Sequence, residues 1–341
     1  MPDADPGRSN YAPGAAGPTD RVAKLWEVAV DTGLSVPVFA DETLYVGGDD
    51  GRIRALDART GDRRWRRSVG APADAPWVVG EHLYVPTADG IVALVGGDGD
   101  ERWRTPTPDR VGVVVAAHGV YWLAEGDPPA VVALARSDGG ERWRTELGDP
   151  WERPLFASAG RVFVSSGTHD FRFWTLDAGT GDLLGEEPRS GNDFPAERFY
   201  RNGTVYAADP FFGNVRASAV TESGHGWSQG VEAVGRFAMS GDDERVYYLA
   251  TADDGPGLYA LSATDGSVAW TADVATERAC PPVVADETVL VRTGDALRCL
   301  DPADGTDRWT LPGTDVGERV VVADDLVYTT ADGAVRAFRP P

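Results

Sequence analysis

Lysine is almost absent from this sequence, and histidine, cysteine and methionine are scarce. Lys24 is the only lysine among 32 basic residues, and the 341 residues include four histidines, two cysteines and two methionines. The histidines are scattered, so neither a metal-binding pattern nor a Ser-His-Asp or Cys-His arrangement can be read from their spacing. No glycine-rich phosphate-binding motif precedes a helix. The sequence therefore offers no motif for zinc chemistry, triad hydrolysis or nucleotide binding.

Long apolar runs are also missing. No stretch is long enough to cross a bilayer. Met1–Asp20 contains neither an apolar run of signal-peptide length nor a cysteine for lipidation. Its richness in Pro, Gly, Ala and Asp predicts that residues 1–21 form a disordered tail. We expect no transmembrane segment, and the sequence as given shows no export signal, although the tail resembles the spacers that tether surface domains.

Acidic residues outnumber basic ones by 54 to 32, which gives a net charge of −22 and a sequence pI of about 4.5. Such an acidic surface repels nucleic-acid phosphates and anionic membranes, so we expect neither as a partner. Arginine in place of lysine, with abundant Asp and Gly, is typical of adaptation to high salt, where the Debye length shrinks to about 3 Å at 1 M. A GC-rich genome, which also favours arginine, is the alternative explanation.

One unit is repeated along the chain. In Thr43–Val69, three β-rich runs are separated by turns at Asp49–Gly51 and Arg59–Gly61, and the third run is centred on Trp65. Asp favours such turns because its side chain bonds its own backbone, and Gly because it accepts positive φ. The combination of Leu-Asp, Gly and Trp returns with a period of about 40 residues, which indicates a repeat protein.

A tryptophan marks each copy of the repeat. The shortest step between successive copies runs from Trp65 to Trp103, and the longest step within the regular pattern runs from Trp227 to Trp270. The gap between Trp143 and Trp227 is twice as long and spans two units, and in the copy within it Gly185 stands where the tryptophan is expected. The repeat tryptophans are Trp26, Trp65, Trp103, Trp143, Trp227, Trp270 and Trp309.

A period of about 40 residues with only strand signals is the pattern of β-propeller blades of four strands each. Lys24–Val30 is an outer-type strand with no blade before it, and Ala331–Arg339 is a third-type strand with no tryptophan strand after it. Together they complete one blade and remove two open sheet edges. The sequence thus predicts an all-β, eight-bladed propeller over Val22–Arg339, a single domain whose N-terminal strand pairs with the C-terminal blade.

The pattern A-L-D-x-x-[TD]-G-x-x-x-W resembles the PQQ-like propeller repeat of quinoprotein dehydrogenases and of BamB-like assembly-factor propellers. The resemblance covers Val22–Arg339. It rests on residues that are structural in the repeat, so it is specific for the fold and says little about activity. It implies an extracytoplasmic or cell-surface location, and the arginine bias adds the expectation of a halophilic archaeal source.

We interpret the seven repeat tryptophans as wedges between neighbouring blades. A tryptophan buries about 150–250 Å², which contributes on the order of 4–6 kcal/mol as an upper bound. Cys280 and Cys299 fall in the first and third strands of one blade, roughly two strand spacings apart, so we expect no disulfide between them. Cys299 occupies a small-residue position of the repeat and is expected to pack in the core.

Blades four to six depart from the repeat, with Gly185 in place of a tryptophan and longer connections that carry aromatic residues. If the strands of a blade are named A to D from the channel outwards, the D–A and B–C connections emerge on the same face. Trp151, Phe194, Phe211 and Phe212 are therefore predicted to share one rim. Aromatic loops that leave a repeat's consensus favour a contact surface. Alternatively, these side chains fold back to cover the junction at Gly185.

An acid–arginine pair, such as Glu152-Arg153, recurs at the start of the inner strands. Inner strands line the central channel, so these arginines are predicted to ring its mouth. Such a ring could grip a carboxylate or an anionic cofactor. Alternatively, the Glu of one blade pairs with the Arg of the next, and the ring is structural. The arginines of these pairs are Arg110, Arg153, Arg198, Arg278 and Arg319, and Arg236 stands at the matching place without an acidic residue before it.

These observations favour a non-catalytic, monomeric scaffold that binds a protein or peptide through the aromatic rim, with neither cofactor nor metal. The alternative is a PQQ-dependent alcohol or sugar dehydrogenase, which would use PQQ with calcium. The resemblance weakens that alternative, because quinoprotein dehydrogenases are usually longer and carry an adjacent cysteine pair, whereas Cys280 and Cys299 are well separated in the sequence. A third hypothesis is a carbohydrate-binding or enzyme-accessory propeller.

Overall fold

The structure is a computed structural model, and it describes residues 11–107, 110–148, 155–165, 172–188, 197–209, 213–219, 225–231, 237–251, 256–275, 280–317 and 320–341. Within these residues the chain forms 33 β-strands and one short 3₁₀-helix, Gly313–Asp315. The strands make eight antiparallel sheets of four strands, one of which gains a fifth strand. The prediction of an all-β propeller with eight blades is confirmed.

The first two strands, β1 (Tyr11–Ala12) and β2 (Ala23–Ala29), belong to the last two blades. Blade one contains β3 (Val38–Ala40), β4 (Thr43–Gly48), β5 (Arg52–Asp57) and β6 (Arg63–Ser68). Blade two contains β7 (Trp77–Val79), β8 (His82–Thr87), β9 (Gly90–Val95) and β10 (Glu101–Pro106). Blade three contains β11 (Arg110–Ala116), β12 (Gly119–Ala124), β13 (Ala130–Leu134) and β14 (Glu141–Glu146). Blade four contains β15 (Leu155–Ser158), β16 (Arg161–Ser165), β17 (Arg172–Asp177) and β18 (Leu183–Pro188).

The second half of the ring follows the same order. Blade five contains β19 (Glu197–Arg201), β20 (Thr204–Asp209), β21 (Asn214–Ala219) and β22 (His225–Gly230). Blade six contains β23 (Phe237–Gly241), β24 (Arg245–Ala250), β25 (Gly257–Ser262) and β26 (Val268–Asp273). Blade seven contains β27 (Val283–Ala285), β28 (Val289–Arg292), β29 (Ala296–Leu300) and β30 (Asp307–Pro312), with β1 beside β27. Blade eight contains β31 (Val320–Ala323), β32 (Leu326–Ala331), β33 (Ala334–Arg339) and β2.

The ring closes through the two ends of the chain. β2 pairs antiparallel with β33, from Ala23 opposite Arg339 to Ala29 opposite Ala334. The N-terminal strand therefore supplies strand D of the C-terminal blade, as the sequence predicts. The outer edge of β33 is thereby paired, and β2 is the outer strand of the blade, as strand D is in the other blades.

The repeated Leu-Asp and Gly residues form the turn between strands C and D. In blade one, the side chain of Asp57 accepts hydrogen bonds from the backbone N–H groups of Arg59 and Thr60, both at 3.0 Å. Gly61 then takes a left-handed conformation with φ of +77°, which glycine adopts without steric cost. A β-bulge between Ala55 and Leu56 follows in the C–D pairing, and such a bulge increases the local twist of strand D.

The core lies between the blades. Strands A to C of the regular blades are buried on both faces, as in β4, where all six residues are buried. Ile53 of blade one packs in one cluster with Leu83 and Val85 of blade two. Cys299 is buried in such a cluster, Cys280 is partly buried, and no disulfide joins them, as the sequence predicts. Burial raises the pKa of the Cys299 thiol to about 12, so this group is unreactive at neutral pH.

Residues 11–21 belong to the predicted disordered tail, and for them this prediction is wrong. β1 pairs in parallel with β27, the innermost strand of blade seven, through Tyr11–Val284 and Ala12–Ala285. Ala12 and Ala15 are buried. Low hydrophobicity indicates disorder only when a segment has no partner surface. Here the small residues fit closely against blades seven and eight, and their backbone groups complete hydrogen bonds that those blades require.

Candidate functional site

The aromatic rim lies outside the described residues. Trp151, Phe194, Phe211 and Phe212 all fall in connections that the structure does not describe. The strands that bracket these connections are described, and they fix the topology. Two of the connections join strand D to strand A of the next blade, and the third joins β20 to β21, which are strands B and C of blade five. All three therefore leave the sheets on the same face, which we call the D–A face.

The channel arginines are only partly covered by the described residues. Arg110 and Arg198 lie at the start of β11 and β19, which are strand A of blades three and five, as the sequence predicts. Their side chains are outside what the structure describes. Arg153, Arg236, Arg278 and Arg319 are outside it altogether. Whether these residues bind an anion or pair with neighbouring acids stays a prediction.

The repeat tryptophans lie where neighbouring blades meet. Trp65 of blade one donates its indole N–H to the carbonyl oxygen of Gly96 in blade two, at 2.8 Å. The accepting residue in the regular junctions is the one that begins the C–D turn of the next blade. The other pairs span 2.8–3.3 Å and are Trp26–Ala58, Trp103–Arg136, Trp143–Ala178, Trp227–Ala263, Trp270–Pro302 and Trp309–Pro18.

A tyrosine from strand B shares the same acceptor, a feature that the sequence analysis missed. The Tyr45 hydroxyl donates to the Gly96 carbonyl at 3.2 Å, and its ring lies 5.9 Å from that of Trp65. The signal was present in the sequence, because a tyrosine recurs in the middle of strand B in most copies of the repeat. The equivalent tyrosine–carbonyl pairs are Tyr84–Arg136, Tyr121–Ala178, Tyr206–Ala263 and Tyr328–Ala58.

The glycine of each C–D turn provides the surface on which the indole rests. A Cβ atom on Gly305 would lie 2.5 Å from Cε3 of Trp270, a distance that real Cβ atoms do not adopt. Gly61, Gly99, Gly139, Gly181 and Gly266 are in the same relation to the tryptophan of the preceding blade. Glycine is therefore required at this position for two reasons: the backbone has a positive φ, and the indole ring lies too close to the backbone to leave room for a Cβ atom.

Blade four lacks both members of this arrangement, since Phe163 replaces the tyrosine and Gly185 the tryptophan. Among the described residues, the space towards blade five is filled by stacked rings instead. Phe163 lies 4.8 Å from Phe156 and 5.5 Å from Tyr200 of blade five, centroid to centroid. This junction depends on ring stacking, which lacks the directional hydrogen bond of the other junctions.

Residues 11–22, the N-terminal segment, run outwards from the central channel over the junction of blades seven and eight. The segment begins at the inner edge of β27 and passes over the A–B turns of both blades, where Asp286 N–H donates to Ala15 O and Gly17 N–H to Asp324 O. It then reaches Trp309 of blade seven, whose indole donates to the Pro18 carbonyl at 2.8 Å. The segment thus replaces the C–D turn that blade eight lacks.

Tyr11 lies at the inner end of this segment, between three blades. Its hydroxyl donates to Asp286 of blade seven at 2.5 Å, and Cζ of Arg201 from blade five lies 4.4 Å from the ring centre. Arg201 also pairs with Asp243 of blade six. Burial, followed by the hydrogen bond to Asp286, raises the pKa of Tyr11 above its usual value. The end of the channel on the face of the A–B turns is therefore partly covered by the chain's own N-terminal segment.

The fold and its junctions can be compared with known proteins. The family model described as outer membrane protein assembly factor BamB matches residues 19–109, 89–233 and 201–341. The chain belongs to this family. Among curated relatives, BamB of Burkholderia pseudomallei is 25% identical over 347 residues, which cover 94% of this chain and 88% of that protein. BamB of Yersinia pestis is 39% identical over 85 residues, a quarter of this chain.

The shorter matches cover little of the proteins concerned, since the first curated relatives are matched over a fifth of their length or less. Among solved structures, BamB from Moraxella catarrhalis superposes on this BamB-family propeller with a TM-score of 0.70 and 16% identity, covering 94% and 98% of the two chains. Quinohemoprotein alcohol dehydrogenase from Comamonas testosteroni superposes with a TM-score of 0.72 and 15% identity, covering 99% and 80%. At such identities the likeness shows the fold alone.

Two further observations concern the described part of the BamB-family propeller. It contains no cluster of three or more His, Cys, Asp or Glu side chains that could hold a metal ion together. It also contains no helix with the length and apolar character that crossing a membrane requires.

Proposed function

We propose that this BamB-family propeller is a non-catalytic scaffold that binds a protein or peptide partner through its D–A face. The observation that carries the proposal is the course of the N-terminal segment over the opposite face. That segment covers the A–B turns of blades seven and eight and part of the channel end. The D–A face carries the connections that leave the repeat pattern, and Trp151, Phe194, Phe211 and Phe212 are its proposed contact residues.

The family supports a scaffold role. The relatives are named as outer membrane protein assembly factors, and that name is a statement about those proteins. BamB from Moraxella catarrhalis shares the propeller fold of this chain, and the described junctions between the blades of this chain are filled by packed side chains. A ring of this kind presents loops in constant positions without moving itself. We infer that this scaffold role, rather than any one assembly pathway, applies to this chain.

The dehydrogenase alternative requires PQQ with calcium. Calcium prefers six to eight oxygen ligands, several of them carboxylates. The described residues do not bring three such groups together, and the sequence contains no adjacent cysteine pair. The residues that the structure describes therefore do not fit this cofactor, and we expect no cofactor.

A photo-cross-linking experiment tests the scaffold proposal. We would place p-benzoylphenylalanine at position 211 in the full chain, express it in its native host and irradiate the cells. The matched control carries the same group in place of Leu183, which is 49% exposed on β18 at the periphery. We expect a discrete protein adduct from position 211 and none from position 183, and Phe212→Ser in the same chain should weaken the adduct.

Equal adducts from both positions, or none from position 211, would contradict the proposed face. The dehydrogenase alternative has its own readout. Titration with PQQ and calcium should leave tryptophan fluorescence unchanged and should not support dye reduction with alcohols or sugars. Saturable quenching together with dye reduction would replace the scaffold proposal with the enzymatic one.

A further inference from the structure

The outer part of blade one carries a high density of positive charge. Seven arginines lie between Arg52 and Arg67, and the only acidic residues in this stretch are Asp57 and Asp62. Four of the arginines belong to β6, the outer strand, in which every residue except Trp65 is exposed. The chain as a whole has a net charge of −22. Blade one therefore presents a strip of positive charge on an acidic protein.

Five of these seven guanidinium groups have a carboxylate partner. The pairs are Arg52–Asp50, Arg54–Asp50, Arg59–Asp324, Arg64–Asp57 and Arg67–Asp100. The other two arginines, Arg63 and Arg66, form neither an ion pair nor a side-chain hydrogen bond within the part of the chain that the structure describes. The strip therefore contains two positive charges that no neighbouring acid neutralises.

The repeat shows what these two positions contain elsewhere. Arg63 lies two residues before the repeat tryptophan, and Arg66 lies one residue after it. In three other blades the same two positions hold opposite charges that form an ion pair. These pairs are Glu101–Arg104 at 2.8 Å in blade two, Glu141–Arg144 at 3.1 Å in blade three and Lys24–Glu27 at 2.6 Å in blade eight. Blade one has two like charges instead, and like charges side by side destabilise a sheet.

A β-bulge brings the two arginines to the same face of β6. Arg63 is opposite Leu56 of the neighbouring strand β5, and Arg66 is opposite Arg54. Side chains directly opposite each other in a sheet lie on the same face. Because Leu56 and Arg54 are two residues apart, Arg63 and Arg66 have the spacing of two alternate residues in a regular strand, roughly 7 Å.

β6 also has an open backbone edge. It is the outermost strand of its sheet, and no described strand pairs with its outer side. An open edge offers unpaired N–H and C=O groups, to which an extended segment can add as a further strand. Two residues at alternate positions of such a segment would lie next to Arg63 and Arg66. Backbone groups and charged side chains can therefore recognise one ligand together.

We propose that the outer edge of blade one binds an extended acidic segment of a partner protein, with carboxylates at alternate positions. Carboxylates match guanidinium groups in charge and geometry, and their hydrogen bonds are stronger than neutral ones. The negative charge of the chain as a whole restricts an acidic segment to this strip. A nucleic acid would extend beyond the strip and be repelled. This edge is separate from the D–A face, so the inference does not depend on the proposed scaffold function.

Peptide binding to the full-length protein, followed by fluorescence anisotropy, tests the proposal. The probe is a short fluorescein-labelled peptide in which glutamate alternates with threonine. We expect saturable binding of this Glu peptide and little binding of the same peptide with glutamine in place of glutamate. Replacing the central threonines of the Glu peptide by proline should also weaken binding, because proline lacks the backbone N–H that pairing with the edge requires.

Arg63→Glu is the decisive variant, because it recreates the Glu–Arg ion pair of blades two and three. It should weaken binding of the Glu peptide about tenfold or more, while the melting temperature should rise or stay unchanged. Arg66→Glu restores opposite charges in the order found in blade eight and provides an independent second variant. The charge-matched control is Arg102→Glu on the outer strand of blade two, where Arg102 is exposed. It should change the affinity by less than about twofold, because its charge is distant and screened.

The double variant Arg63→Glu with Arg66→Glu should prefer a peptide in which lysine replaces glutamate. The proposal is overturned if the Glu peptide shows no saturable binding, or if Arg63→Glu and Arg102→Glu weaken that binding equally. Tighter binding of an oligothymidylate than of the Glu peptide would assign the strip to a nucleic acid and contradict the proposed partner. Sedimentation of the protein alone checks a further occupant, since a dimer that Arg63→Glu dissociates would assign the strip to a second copy of the chain.

Discussion

Replacing Gly305 by alanine should destabilise the propeller strongly, for two separable reasons. Gly305 has a φ of +77°, a conformation that costs an L-residue roughly 1–2 kcal/mol. The new Cβ would also lie 2.5, 2.8 and 2.9 Å from Cε3, Cζ3 and Cδ2 of Trp270. Displacing a packed ring costs about 1–3 kcal/mol. We therefore expect Gly305→Ala to lower the free energy of unfolding by about 2–5 kcal/mol.

Gly203→Ala is the matched control, because Gly203 has a φ of +81° and an added Cβ would meet no atom within 4 Å. It should cost only the backbone part, roughly 1–2 kcal/mol. For a chain of this length, about 2 °C of melting temperature corresponds to each kcal/mol. Thermal unfolding followed by circular dichroism should thus show a loss of about 4–10 °C for Gly305→Ala and about 2–4 °C for Gly203→Ala.

A double-mutant cycle with Trp270→Phe separates the ring contact from other effects. Phenylalanine lacks the outer indole atoms that the new Cβ would touch, so the two substitutions should cost less together than the sum of their single effects. Equal losses for the two glycine variants, or strict additivity in the cycle, would show that the indole does not rest on the C–D turn and would refute the interpretation of the repeat.

Two further predictions concern the N-terminal segment and a partly buried ion pair. Deleting residues 1–18 removes the acceptor of the Trp309 indole and the strand beside β27, so the melting temperature should fall by several degrees and Trp309 should become accessible to acrylamide quenching; an unchanged melting temperature would show that the segment is dispensable. The hydrogen bond from Arg54, which is only 7% exposed, lowers the pKa of Asp50 to about 2 from its usual 3.8. The ionised form therefore stabilises the fold above about pH 4 and loses this effect as the pH falls towards 2. Asp50→Asn should lower the melting temperature by a few degrees at pH 7 and by progressively less towards pH 2, whereas a difference that does not change with pH would contradict this assignment.

The fold was predictable from sequence because the repeat residues act locally. Asp57 and Gly61 form their turn through contacts between near neighbours in the chain, and Trp65 follows shortly after. The tryptophan recurs in seven copies of the repeat, which makes the pattern clear. The N-terminal strand and the C-terminal strands each form an incomplete blade, which predicts that they pair and close the ring. The partner of each tryptophan was not predictable in detail, because the accepting carbonyl belongs to the next blade, and backbone acceptors carry no sequence signature.

The N-terminal segment could not be predicted by the same reasoning. The composition of residues 11–21 shows correctly that they are polar and small. It cannot show that the indole N–H of Trp309 needs a hydrogen-bond acceptor, or that Pro18 supplies this acceptor in place of the C–D turn that blade eight lacks.

Closure by β2 also imposes an order of events during synthesis. β2 is complete once residue 29 has been made, but its partner β33 consists of residues 334–339. At translation rates of about 5–20 residues per second, roughly 15–60 s pass between the synthesis of β2 and that of β33. During this time the edge of β2 that will pair with β33 has no partner. Such an edge is a template for aggregation, and charged side chains, lysine above all, protect it. The single lysine of the chain, Lys24, lies in this strand and pairs with Glu27. Its charge therefore protects β2 against aggregation during the time in which β33 has not yet been synthesised.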